Sequence, residues 1–256
     1  MSKFIEKNSV DKQFFITTHS TLFVRTSENS NTYLVTRTGS QSNIRKIAEP
    51  KDFLLIKSEL GHRNTDLFSY NVVAFVEGES EMVALPILAE SLSIDLAQEG
   101  IEIVNLRGKG KLSKLEGYLR YLKDSHVVPF VILDRNKEVK EWLNQWSREG
   151  ILPEGNYRVW PKEFEDLFPL EEITQASNEL GYTEITKENL ERTHGEGSVV
   201  QSIKKLLHDN SQKDLDKREL AELLAERIYK GKAQIPKDLE ELLKTLVTKA
   251  NAAQGG

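Results

Sequence analysis

Acidic side chains follow three apolar runs of this sequence at places where they could form one site. Glu77 comes directly after one run, Asp134 ends a second, and Glu-Phe-Glu-Asp at 163–166 follows a third. If the runs are parallel strands, their carboxyl ends meet at one sheet edge, where open α/β folds bind ligands. Carboxylates held close together cannot all stay ionised unaided, and clustered hard oxygen ligands suit Mg²⁺ or Mn²⁺. The pattern predicts a divalent-cation site.

The stretch Val-Glu-Gly-Glu-Ser-Glu at 76–81 makes this prediction more specific. Glu77 lies at the predicted strand end, Gly78 lets the backbone turn tightly, and Glu81 falls in the first turn of a helix facing the same crevice. A helix N-terminus favours carboxylates, which is enough to explain Glu79. Glu77 directly follows buried apolar residues and has no such explanation. We therefore expect Glu77 and Glu81 to begin the metal site.

Strands and helices alternate in the middle of the chain, which predicts an open parallel α/β sheet. The predicted strands lie at 71–76, 101–105, 127–134 and 156–160, with helix-like spacing at 83–88 and 112–122. From residue 170 onwards, charge-rich helical patterns, including 213–229 and 236–250, predict a helical lobe beside the sheet. Ahead of the sheet, three shorter strands are expected at 13–18, 32–36 and 42–47.

Composition limits the class of protein. The chain has 256 residues, of which 38% are hydrophobic, and no cysteine, so we expect one or two domains without disulfides or thiolate zinc sites. A signal peptide and an apolar stretch long enough for a membrane span are both lacking, and a cytoplasmic location is expected. The net charge of −5 argues only weakly against nucleic acid, since an acidic cluster for cations accounts for part of it.

A glycine-rich basic segment after the second strand of the sheet offers a local phosphate-binding patch. Its candidate DNA-binding residues are Arg107, Lys109 and Lys111. A plain solvated turn explains the same composition equally well, so both interpretations stay open.

Several motifs, in their order, resemble the Toprim domain of OLD (overcoming lysogenization defect) family nucleases. They are Phe-Val-Glu-Gly-Glu-Ser-Glu-Met-Val-Ala-Leu-Pro at 75–86, Ile-Leu-Asp-Arg-Asn at 132–136 and Phe-Glu-Asp-Leu-Phe-Pro at 164–169. In that family an ABC-type ATPase precedes the Toprim domain, and Phe-Ile-Thr-Thr-His-Ser at 15–20 resembles its last strand and switch-histidine loop, with His19 as the histidine. The resemblance implies four parts: an ATPase remnant at 1–66, a Toprim core at 67–172, a helical extension at 173–250 and a flexible tail at 251–256.

The resemblance also implies the chemistry. A two-metal site, with Mg²⁺ or Mn²⁺, would hydrolyse phosphodiester bonds of DNA, with Glu77 as a catalytic residue. The implied metal ligands are Glu77, Glu81, Asp134, Asn136, and Glu165 or Asp166. A lysine on the C-terminal helical segment is expected at the scissile phosphate; Lys217 matches best, with Lys213 and Lys205 as substitutes. By analogy with the family we expect a homodimer and a role in phage defence, with an accessory defence protein as a further partner.

Two departures from the family pattern qualify this expectation. Toprim domains carry Asp-x-Asp on the third strand, whereas this chain has Asp134-Arg-Asn136, which removes one charge and should weaken metal binding. No Gly-x-x-x-x-Gly-Lys-Ser/Thr loop occurs, so no ATPase activity is expected from this chain alone, and ATP would matter only in a longer ATPase–nuclease protein. Two alternatives therefore stand beside the endonuclease: another Toprim enzyme, primase- or topoisomerase-like, and a non-catalytic module that binds DNA or protein.

Overall fold

The computed structural model describes residues 12–17, 31–38, 41–47, 67, 70–106, 111–136, 138–193, 197–211 and 214–254. The chain divides into two compact units, 1–63 and 64–256. The predicted residues His19, Arg107, Lys109 and Lys213 lie outside the described residues.

The first unit contains an antiparallel hairpin. Strand β1 (Thr32–Thr38) pairs with β2 (Gln41–Ile47), which confirms both predicted strands. Residues 12–17, in contrast, are exposed and form no regular structure, so the prediction of a buried strand there is wrong over this stretch. Aromatic and β-branched residues favour a strand only where a neighbouring backbone completes the ladder, and no described strand pairs with this segment.

A four-stranded sheet forms the centre of the second unit. Its strands are β3 (Val72–Val76), β4 (Ile101–Asn105), β5 (Val128–Asp134) and β6 (Tyr157–Trp160). They lie in the order β4-β3-β5-β6, and every neighbouring pair is parallel. All five residues of β3 are buried, as expected for a central strand covered on both faces. The predicted open parallel α/β sheet is confirmed.

Helices connect the strands and continue after them. They are α1 (Glu79–Ser91), α2 (Lys111–Leu122), α3 (Val139–Arg148), α4 (Leu170–Glu179), α5 (Lys187–Thr193), α6 (Val199–Ser211), α7 (Lys217–Tyr229) and α8 (Lys237–Gln254), with a 3₁₀ turn at Phe164–Leu167. Helix α8 packs against β3, β4 and β5, and α7 packs against α1. No helix among the described residues combines the length and apolarity that a membrane span requires.

Two predicted helix boundaries are wrong. The helix expected from residue 213 begins at Lys217, because the Asp216 side chain accepts a hydrogen bond from the Glu219 amide at 3.1 Å and so forms the N-cap. The expected tail is helical up to Gln254 as part of α8, since Ala250 is buried and the residues after it include good helix formers.

An ion-pair network fixes α7 to α4. Arg227 on α7 is only 5% exposed, and its guanidinium donates to the carboxylates of Glu172, at 3.1 Å, and Glu179. A buried arginine needs such partners, because an unpaired charge in the interior is strongly unfavourable. The network joins the C-terminal half of α7 to α4, and the packing of α7 against α1 helps to place Lys217 at the start of that helix.

Candidate active site

A pocket of about 560 Å³ lies at the carboxyl edge of the sheet. Its lining includes Glu81 from α1, Asp134 at the end of β5, Glu165 from the 3₁₀ turn and Lys217 from α7. The order of the strands explains this grouping, because β3, β5 and β6 are adjacent and parallel, so the segments that follow them meet at the same edge. Four of the residues predicted from the sequence are therefore neighbours.

Glu77 links two strand ends beside this pocket. One carboxylate oxygen, Oε2, accepts a hydrogen bond from the backbone amide of Asp134 at 3.2 Å. The Lys111 ammonium donates to the Glu77 carbonyl oxygen at 2.8 Å and lies 3.8 Å from its Oε1. Lys111, predicted to bind DNA, thus contacts the Glu77 segment.

Glu81 lies under the glycine that precedes the helix. Its side chain is 2% exposed, and a Cβ built on Gly78 would meet the Glu81 Oε2 at 2.7 Å. Gly78 itself has φ −116° and ψ 170°, which any residue can adopt. The sequence therefore needs glycine here for space rather than for the tight turn that we predicted, since a side chain would displace the Glu81 carboxylate.

In the 3₁₀ turn after β6, the side chains of Glu165 and Asp166 point in different directions. Glu165 is completely buried and accepts a hydrogen bond from the Ser80 hydroxyl at 2.5 Å. Asp166 instead accepts backbone hydrogen bonds from Val199, at 3.0 Å, and Glu163, at 3.3 Å. Of the two open alternatives, the geometry favours Glu165 as the cation ligand and gives Asp166 a role in holding the turn.

Asn136 is engaged elsewhere. Its side-chain oxygen accepts hydrogen bonds from the amides of Glu138 and Val139, both at 3.0 Å, at the start of α3. These are contacts of a residue that caps a helix, and Asn136 does not line the pocket. The contacts give no support to its predicted role as a metal ligand.

Lys217 is the cation closest to these carboxylates among the described residues. Its ammonium forms a hydrogen-bonded ion pair with Glu163 and lies 3.5 Å from the Glu165 Oε2. A lysine in the first turn of α7 is unfavourable with respect to the helix dipole, so helix stability does not explain it. Of the substitutes, Lys205 is exposed on α6. The geometry supports Lys217 over Lys205.

Burial shifts the protonation equilibria of the pocket. Desolvation raises the pKa of Asp134 to about 8 and that of Glu81 to about 7. The charges of neighbouring carboxylates contribute in the same direction. Burial also raises the pKa of Glu165, although Lys217 and Ser80 oppose it. Burial alone would lower the pKa of Lys217, but the carboxylates of Glu165 and Glu163 outweigh this effect and raise it. An acidic pocket with this electrostatics binds either protons or cations.

The unpaired oxygens in the pocket fit a cation. Glu81 Oε1, Asp134 Oδ1 and Glu165 Oε2 are buried and have no hydrogen-bond partner, although Lys217 lies near the last of them. Buried carboxylate oxygens without donors are unfavourable unless a cation or a proton neutralises them. Within the described residues, no three His, Cys, Asp or Glu side chains are arranged to hold a metal ion as they stand. The residues fit a divalent ion in type and burial, although their present arrangement does not complete a site.

The raised pKa values predict how the stability of the metal-free protein depends on pH. Between the unfolded values, 3.8 for Asp134 and 4.5 for Glu81, and the folded values, about 8 and about 7, the folded state binds protons that the unfolded state has released. The free energy of unfolding should therefore fall by a few kcal/mol as pH rises from about 4 to about 8. Urea unfolding in EDTA across this range measures it, and a flat profile would contradict the pKa shifts.

Three polar residues of the site were not singled out from the sequence. Ser80 and Ser198 bind the carboxylates of Glu165 and Glu163, and Glu163 belongs to the acidic segment 163–166 without being one of its two predicted ligands. Ser80 lies within the Glu-Gly-Glu-Ser-Glu stretch, so its position could have suggested it. Ser198 carries no signal in the sequence that would connect it with residues 163–166.

A family model matches part of this sequence, and a solved structure is similar to it in fold. Residues 67–135 match the family model described as "Overcoming lysogenization defect protein-like, TOPRIM domain". No curated protein matches the chain. Among solved structures, the C-terminal region of the Xanthomonas campestris pv. campestris OLD protein is similar, with 18% identity and a TM-score of 0.51, covering 74% of this chain and 96% of that one. The C-terminal region of the Burkholderia pseudomallei OLD protein has 16% identity and a TM-score of 0.48, covering 71% and 98%. The first of these likenesses agrees with the predicted fold.

Proposed function

We propose that this chain is a divalent-metal-dependent nuclease that cuts or nicks DNA, since residues 67–135 match an OLD-like Toprim family model. The observation that carries the proposal is the pocket in which Glu81, Asp134 and Glu165 keep unpaired buried oxygens beside Lys217. Carboxylates for cations, together with a lysine for the phosphate, are the groups that phosphodiester hydrolysis needs. The family resemblance adds an attached ATPase as the regulator of cleavage.

In the proposed reaction, water adds to the phosphorus atom, one P–O ester bond breaks, and the leaving oxygen takes up a proton. When bound, Mg²⁺ or Mn²⁺ would supply an activated water and neutralise charge on the leaving oxygen. Glu81, Asp134 and Glu165 line the pocket and would hold these ions, and Glu77 would join them from the end of β3, beside the pocket rather than in its lining. The Lys217 ammonium would donate a hydrogen bond to a phosphate oxygen as negative charge develops there.

Two features of the structure support these roles. The Glu77 carboxylate is aligned by the Asp134 amide, and its backbone is held by Lys111, so the end of β3 is rigid. The pocket is lined by buried carboxylates on one side and by the first turn of α7 on the other, so a phosphate could approach Lys217 from solvent. The Lys217 side chain lines this pocket and is 34% exposed.

Nicking of supercoiled plasmid tests the proposal. We expect relaxed circles with Mg²⁺ or Mn²⁺ and intact plasmid with EDTA, and we expect Glu77→Ala to lower the nicking rate by about 100-fold. Religated or covalently protein-linked products would instead indicate a topoisomerase-like reaction. If the plasmid stays intact with either metal and Glu77→Ala changes nothing, the chain is not a nuclease on its own.

A further inference from the structure

We propose that Glu163 is a positioning residue that holds Lys217 at the mouth of the pocket, and that Ser198 in turn fixes Glu163. The inference rests on the proposed nuclease function, in which Lys217 meets the phosphate. It divides the acidic residues of the site into two groups: those that hold cations and one that holds the lysine.

The hydrogen bonds of Glu163 distinguish it from the other carboxylates. Its Oε1 accepts from the Ser198 hydroxyl at 2.6 Å, and its Oε2 accepts from the Lys217 ammonium. Glu81, Asp134 and Glu165 each keep one buried oxygen without a hydrogen-bond partner. Because both oxygens of Glu163 already accept hydrogen bonds, Glu163 is less suited to take a cation than these three carboxylates.

The location of Glu163 agrees with this division. Phe164 and Glu165 line the pocket, whereas Glu163 does not. Its side chain is 25% exposed, whereas that of Glu165 is completely buried. Glu163 therefore contacts the Lys217 ammonium without lining the pocket, and from there it can orient the lysine.

The segment that carries Ser198 is itself fixed. The Val199 amide donates to Asp166 at 3.0 Å, and the Lys162 ammonium donates to the Gly197 carbonyl at 2.7 Å. Both contacts connect the start of α6 to the stretch around the 3₁₀ turn. Ser198 is thus held in place independently of Lys217, and it can fix the orientation of the Glu163 carboxylate.

The lysine needs this partner because its local environment is unfavourable. It begins α7, where the helix dipole repels a cation, and it is partly buried. Glu165 alone lies at 3.5 Å, beyond hydrogen-bond distance, whereas Glu163 makes the direct hydrogen bond. Removing the Glu163 charge should therefore free the Lys217 side chain to move.

A comparison of Glu163→Gln, Lys217→Met and the double variant tests the proposal. In single-turnover nicking at saturating Mn²⁺, we expect Glu163→Gln to lower the rate about tenfold, as loss of a charged hydrogen bond would. The half-saturating Mn²⁺ concentration should stay within about twofold of wild type, because Glu163 is not expected to bind the cation. Adding Glu163→Gln to Lys217→Met should change nothing further, because a positioning residue acts only through the residue that it positions. Glu240→Gln removes a Lys–Glu pair on α8 and should behave like wild type.

A second measurement needs neither metal nor cleavage. Reductive methylation of the metal-free protein, followed by peptide mass spectrometry, reports the reactivity of the Lys217 amine. We expect Glu163→Gln to raise this reactivity severalfold and Glu240→Gln to leave it unchanged. Unchanged Lys217 reactivity in Glu163→Gln would overturn the proposal, and so would a tenfold or larger rise in the half-saturating Mn²⁺ concentration, which would make Glu163 a ligand. If wild type does not nick DNA, Mn²⁺ calorimetry and methylation still decide the role of Glu163, whereas the nuclease proposal fails separately.

Discussion

Glu81→Gln is expected to lower the DNA-nicking rate by at least about 100-fold and at the same time to stabilise the metal-free protein. The two effects have one cause. Glu81 is 2% exposed, and burial with neighbouring carboxylates raises its pKa from 4.5 to about 7. Its ionised form is therefore unfavourable in the folded protein until a cation neutralises it. Glutamine keeps the shape of the side chain and removes the charge, so it removes both the cost and the cation ligand.

The pH dependence gives this prediction its sign. At pH 8 wild-type Glu81 is mostly ionised in both states, and the variant should gain about 2 kcal/mol in free energy of unfolding in EDTA. At pH 4 the carboxyl is protonated in the folded state and largely so in the unfolded state, and the gain should vanish. Urea unfolding at the two pH values measures the difference, and Glu240→Gln, which removes a partly exposed carboxylate paired with Lys244 on α8, is the control. A variant that is destabilised at pH 8, or that nicks DNA like wild type, would contradict a cation site at Glu81.

The architecture of the second unit could be predicted because it depends on local patterns. A continuous apolar run such as Val72–Val76 is typical of a strand buried on both faces, and its alternation with helical patterns requires a parallel sheet. The carboxyl ends of parallel strands share one edge, so Glu77 and Asp134 could be placed together without knowing the order of the strands. The structure brings them into direct contact.

The choice among neighbouring acidic residues could not be made in the same way. Glu165 and Asp166 lie in the 3₁₀ turn Phe164–Leu167, and only its tertiary contacts decide that Glu165 points inward and Asp166 towards α6. Asn136 stands where the family pattern has a ligand, yet its side chain caps the next helix, and a capping asparagine and a metal-binding one look alike in sequence.

Contacts between residues far apart in the sequence could not be predicted either. Glu163 meets Ser198 across 35 residues and Lys217 across 54. No periodicity links positions so far apart, and the packing of α6 and α7 alone brings them together. Lys217 could be named only through the family resemblance. The helix dipole, which disfavours a lysine at that position, becomes informative once the start of the helix is known.

Lys217→Met is expected to have the opposite effect on stability from Glu81→Gln, although it should also lower nicking by about 100-fold or more. Loss of the ammonium leaves Glu165 buried beside Asp134 and Glu81 without a nearby cation. Removing one partner of a buried ion pair is strongly destabilising. Because Lys217 is 34% exposed, solvent reduces the effect, and we expect a loss of about 1–3 kcal/mol at pH 8 in EDTA. Acid should reduce the loss, since protonated carboxyls need no counter-ion.

A second substitution separates this electrostatic cause from loss of packing. Adding Glu165→Gln to Lys217→Met removes the buried charge that the lysine balanced, so the double variant should recover most of the lost stability at pH 8. Its nicking activity should stay low, because both the phosphate contact and a cation ligand are gone. If the double variant is instead less stable than Lys217→Met alone, the Glu165 charge is not what destabilises Lys217→Met. The electrostatic explanation of the Lys217→Met effect would then be wrong.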